Sequence, residues 1–175
     1  MKPMKFILTI CLLFLFSSCI EIWDDLTLNN DGSGNLKYKI NLSESKVKVN
    51  SILALDSLQG KPVPSTEQIS AKIKEFVKIL DAQPGISNVL MEENYTDFIF
   101  KLSCDFTNVK LLQDGIKRSI EQISKDKVNL QQEENWLSWD GTTLKRSIPG
   151  YVAEQIKSYK FEDEALLKEG IYTSI

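Results

Sequence analysis

Alternation and helical spacing divide the chain into three hairpins and three helices. Ile22, Asp24, Leu26 and Leu28 form one alternating set; Leu36, Tyr38, Ile40 and Leu42 form a second, interleaved with Lys37, Lys39, Asn41 and Ser43. Period-two patterning marks half-buried strands. Asn29-Asn30-Asp31-Gly32-Ser33-Gly34 lies between the sets as a turn, so 20–48 is predicted to be a hairpin. Residues 43–65 are less regular, and 60–64 reads as a loop. Ser65 and Gln68 have capping-box spacing, and Ile69, Ile73, Phe76, Val77 and Leu80 then share a helical face until Pro84-Gly85. Residues 86–92 and 97–106 form the second hairpin, turning at 93–96. Thr107 is expected to cap a helix whose stripe is Leu112, Ile116, Ile120 and Ile123, with Gly115 a weak spot. The third hairpin is 128–139 with 142–148, joined by Asp140-Gly141. Residues 150–169 have helical spacing at Val152, Ile156 and Tyr159, with Gly170 as a cap. Residues 171–175 read as the beginning of a strand, which leaves open a longer reading frame.

The order ββ-α-ββ-α-ββ-α predicts an α+β fold: a mostly antiparallel sheet built from hairpins, with amphipathic helices on one face and a partly ferredoxin-like arrangement. Helix stripes of four or five apolar residues are too narrow to be buried on two sides. No internal repeat divides the chain, so 20–175 is expected to be a single domain.

The first residues have a different character. Lys2 and Lys5 precede 6–16, which is apolar apart from Thr9. Eleven helical residues span roughly 16 Å, about half of a hydrocarbon core of about 30 Å, which suits a secretory signal and not a membrane-spanning anchor. Ser17-Ser18-Cys19 follows, with Leu15 and Phe16 before it. Small residues leading into a cysteine resemble the lipobox of bacterial lipoproteins. That resemblance, carried by residues 1–19, implies cleavage between Ser18 and Cys19, a diacylglycerol thioether on Cys19 and palmitate-type acylation of the new amino terminus. It divides the chain into a signal peptide (1–18), a lipid anchor with the first strand (19–28) and the domain itself.

With the Asp31-Gly32-Ser33-Gly34 turn and the helix-hairpin order added, the chain is similar to small envelope lipoproteins of Bacteroidota, which implies a lipid-anchored outer-membrane protein. Glu21, Asp24 and Asp25, just past Cys19, resemble the acidic surface-export signal of such lipoproteins. Ile22 and Trp23 interrupt them with strand formers, which favours the periplasmic face slightly over the cell surface. Ile20 stands where an Asp would retain an enterobacterial lipoprotein in the inner membrane.

Composition narrows the chemistry. The 175 residues are 42% hydrophobic and 26% charged, and contain no histidine. Histidine-dependent triads, histidine general bases and imidazole zinc sites are therefore excluded. Past the leader, 19 basic residues face 24 acidic ones, a formal −5 that argues against nucleic acid as a partner. Cys11 lies within the leader, and Cys104 sits in an alternating run where it is expected to be a small buried hydrophobe.

Two constellations invite chemistry. Asn29, Asp31, Ser33 and Gly34 fit the start of an EF-hand loop, but Ile40 occupies the twelfth position, where a bidentate Glu is required, so a hairpin turn is the stronger reading. Acidic groups at Glu92-Glu93, Glu133-Glu134 and Glu162-Asp163-Glu164 would suit glycoside hydrolysis only if a pair faced each other across a cleft. Trp136 and Trp139, three apart, are expected on opposite faces of a strand, with at most one in the core. The sequence thus predicts a binding or structural envelope component, not an enzyme, with no metal or cofactor. It is held to the membrane by its lipid and engages an envelope protein or glycan. A carboxylate-dependent hydrolase of an envelope glycan is the alternative.

Overall fold

β1 (Glu21–Leu28) and β2 (Gly34–Asn41) pair antiparallel along their whole length, from Glu21 against Asn41 to Leu28 against Gly34. The computed structural model describes residues 20–58, 60–124, 130, 135–147 and 171–174. The predicted helix over 150–169, much of 128–139, Glu133-Glu134, the 162–164 acids, Ser18 and Cys19 lie outside them.

The turn between β1 and β2 holds itself. The Asp31 carboxylate accepts from the Ser33 backbone N–H at 3.0 Å and the Ser33 hydroxyl at 2.6 Å, and these bonds hold its pKa below the usual carboxylate range. Gly34 is required by proximity, because a Cβ there would stand 2.0 Å from the Thr27 carbonyl oxygen and 2.7 Å from the Phe106 ring.

β5 (Ile86–Asn94) and β6 (Ile99–Phe106) form the second hairpin. β6 pairs antiparallel with β2, and β9 (Ile171–Ser174) pairs parallel with β1, giving the sheet order β5-β6-β2-β1-β9. The fold is α+β, and the main sheet is antiparallel except at β9. Its hairpins lie side by side, so no split βαβ unit of the ferredoxin-like kind occurs among the described residues, and that part of the expectation fails. Register sorts the side chains into cross-strand rows. On one face, Leu26, Leu36 and Cys104 align, then Asp24, Tyr38 and Leu102, then Ile22, Ile40 and Phe100. The opposite face carries Trp23, Lys39, Lys101 and Glu92 in one row.

α2 (Thr66–Asp81) and α3 (Val109–Ile123) pack on each other and over the apolar face. The Ser65–Gln68 capping box forms as expected: the Gln68 N–H donates to the Ser65 hydroxyl, and the Ser65 N–H to the Gln68 side chain. At α3 the cap is Asn108, not Thr107; its side chain accepts from the Lys110 and Leu111 N–H groups. Thr107 instead donates its hydroxyl to the Gly85 carbonyl. Gly115, a weak spot on propensity alone, lets α3 approach β5, since a Cβ there would lie 2.5 Å from Ile86 Cδ1. The core gathers at this end, where Leu80, Ile86, Cys104, Phe106, Leu112 and Leu137 interlock.

Three further departures have local causes. Residues 43–65 contain α1 (Lys46–Leu53) and a two-stranded ribbon, β3 (Ser57–Leu58) with β4 (Lys61–Pro62); α1 buries no residue, so no apolar stripe announces it. The second hairpin turns at 95–98, because the Asp97 N–H donates to the Asn94 side chain and Phe98 adopts a φ of 53°. Among the described residues the third hairpin comprises β7 (Leu137–Trp139) and β8 (Leu144–Arg146), with Asn135 and Trp136 outside the strand and the Asp140 carboxylate accepting from the Thr142 and Thr143 N–H groups.

Both tryptophans pack on the core, contrary to expectation. Trp136 precedes the strand, so strand parity does not apply to it.

Candidate functional site

The two layers do not close equally along their length. At the core end Leu80 and Leu112 are fully buried, whereas Ile69, Ile73 and Phe76 of α2 and Ile120 and Ile123 of α3 remain half-buried. α3 runs back along α2, so its last turns stand beside α2's first ones. Between these turns and the sheet lies a groove of about 1160 Å³. Its floor is Tyr38 and Ile40 of β2, Phe100 and Leu102 of β6 and Met91 of β5; Leu42 and the 62–64 loop wall one end. Among the described residues its polar lining comes from Gln68, Lys72, Glu75 and Tyr38, and Lys72 is engaged with Glu75 at 2.6 Å.

Such a space exceeds the roughly 300–1,000 Å³ of ordinary small-molecule pockets. With apolar walls it can offer about 0.8 kcal/mol for each methylene taken out of water. Sequence reasoning missed it. Ile69, Ile73, Ile120 and Ile123 carry the ordinary signal of core positions, and periodicity says nothing of how far apart two layers stand.

The residues singled out from the sequence fall elsewhere. Asp24 is 8% exposed on the helix-covered face and pairs with Arg146 of β8. Glu21 and Asp25 belong to the other parity of β1. Glu21 accepts from Asn41 Nδ2 at 2.8 Å, which holds its pKa below the usual range, and Asp25 stands opposite Lys37. The three acids of the proposed export signal therefore do not share a face. Glu92 pairs with Lys101 at 2.7 Å and Glu93 accepts from the Tyr95 hydroxyl at 2.7 Å. Among the described residues, no three acidic or thiol side chains converge as metal ligands would.

Buried polar chemistry outside the groove joins the third hairpin to α3. Gln113, fully buried, donates to Asn135 Oδ1 at 2.5 Å and accepts from the Leu137 N–H at 2.9 Å. The Lys117 ammonium lies 5.1 Å from the Trp136 ring centroid, within cation–π range. Cys104 is fully buried as expected, and burial first, then the Asp105 charge, pushes its thiol up to about 11.

No protein-family model, curated protein or solved structure matches the chain. No helix among the described residues is long and apolar enough to cross a membrane.

Proposed function

We propose that this protein is a lipid-anchored envelope component, held at the outer membrane through Cys19, that works by binding, with the groove beneath α2 as its binding surface. The observation that carries the reading is the groove: an apolar space of about 1160 Å³ at the opposite end of the helix layer from the buried Leu80 and Leu112. The leader and Ser17-Ser18-Cys19 support the anchoring. The groove also revises the expected ligand, since its walls suit an apolar partner better than a glycan, which needs many hydrogen-bonding groups.

Two experiments test the two halves. Cys19→Ala should abolish incorporation of labelled palmitate and leave an uncleaved precursor; a variant still labelled and processed refutes the anchor. The mature chain bearing Cys19→Ser should enhance the fluorescence of N-phenyl-1-naphthylamine saturably, and Ile73→Glu should remove that response while retaining a cooperative melt. Equal dye binding by both proteins refutes the groove.

A further inference from the structure

The groove, the start of β1 and three exposed apolar side chains, Val47, Leu55 and Leu58, fall at one end of the molecule. β1 begins at Glu21, opposite Asn41 and, through β2, level with Ile99; this is the end of the sheet where Ile22, Ile40 and Phe100 form the last row of the apolar face. Cys19 lies two residues before Glu21, and two extended residues reach about 7 Å. A lipid on Cys19 therefore leaves the domain beside the groove and not at the closed core end.

The segment after β2 continues at the same end. Its start is fixed there by the Lys46–Asp97 ion pair at 3.2 Å, and its later part supplies Pro62 and Val63 to the groove wall. It carries Val47, 82% exposed, with Leu55 and Leu58 at 46% and 45%. Three apolar side chains turned to solvent next to a membrane tether have a natural use as a contact with the bilayer surface.

We infer that the groove end rests on the bilayer and that the groove takes an acyl chain of a membrane phospholipid, leaving the headgroup at the Gln68–Lys72 rim. This rests on the anchored, groove-binding reading above. The chains on Cys19 itself are poor occupants, because withdrawing them from the bilayer would weaken the hold they exist to provide. A bilayer lipid carries no such penalty and is presented at the tether's own distance.

The test places a photoreactive benzoylphenylalanine at Ile73, and separately at Ile69, in the full-length chain expressed in its own envelope. A third position, Leu90, is 66% exposed on the sheet's open face and serves as the control. After irradiation of intact cells, the purified protein is weighed by mass spectrometry. One phospholipid mass added at Ile73 or Ile69 and absent at Leu90 is the expected result. Crosslinks to another protein, to residues 148–170 of the same chain, or to the Cys19 lipid without added mass would each overturn the inference. So would no adduct from variants that still melt cooperatively and bind the dye. Loss of dye binding by the Cys19→Ser chain itself would instead remove the groove reading beneath it.

Discussion

Arg146→Met should destabilise the domain by about 2–3 kcal/mol, and the reason lies on β1. Asp24 sits among Ile22, Leu26 and Tyr38 on the covered face, with 10% of its side chain exposed, and Arg146 reaches it from β8 with 25% exposed. Removing one partner of a buried ion pair costs about 3–5 kcal/mol, because the other charge is left in a poor solvent. The partial wetting of Arg146 lowers that expectation. For a domain of this size each kcal/mol moves the melting temperature by roughly 2–4 °C, so a fall of about 5–10 °C is expected. Asp24→Leu should cost less, since Arg146 can swing towards water. The double variant, with the pair replaced by two apolar side chains, should recover most of the loss. Urea and thermal unfolding of the four proteins complete the cycle. A cost below about 0.5 kcal/mol for Arg146→Met, or strict additivity in the double variant, would show that the pair is a solvated surface contact.

The acidic signal past Cys19 should be tested with Glu21→Gln and Asp25→Asn, leaving Asp24 in place. If the cluster directs export, protease on intact cells digests the wild type and spares the double variant; wild-type resistance until permeabilisation leaves a periplasm-facing protein. Cys104 should resist a thiol reagent in the folded protein at neutral pH and react at the rate of global unfolding; fast labelling in buffer would contradict its burial. Tyr95 is pushed up to about 12 by burial and then by its hydrogen bond to Glu93. A phenol raised above its unfolded value of about 10 contributes stability that is complete below pH 10 and is lost as pH climbs towards 12. Tyr95→Phe should flatten that alkaline decline, and absorbance at 295 nm should report the late ionisation; a Tyr95 titrating at 10 refutes the assignment.

What the sequence reveals is what repeats locally. The Ser65–Gln68 cap, the alternation of Leu36 to Leu42 and the stripe from Ile69 to Leu80 each follow from one turn of helix or one step of strand, and each is found in the structure. Thr107 and Asn108 show the limit of such reasoning. Both are good caps, and a contact between distant segments, Thr107 with Gly85, decides which one serves. Trp136 escapes the strand parity applied to it because β7 is only three residues long. The acids past Cys19 read as one signal in sequence, yet strand parity puts Asp24 on one face of β1 and Glu21 and Asp25 on the other. The groove was least legible of all. It depends on the gap between α2 and the sheet, and no pattern along the chain encodes a gap.

The pairing of β9 with β1 joins the last described strand to the first one. During synthesis β1 emerges early, and β2 can satisfy one of its edges almost at once, while the other must wait for nearly the whole chain. Until then its free N–H and C=O groups form a template that any extended peptide could extend. The protein thus passes through a period of vulnerability set by the rate of synthesis. A chain halted before residue 171 would keep that edge open and adhesive to its neighbours.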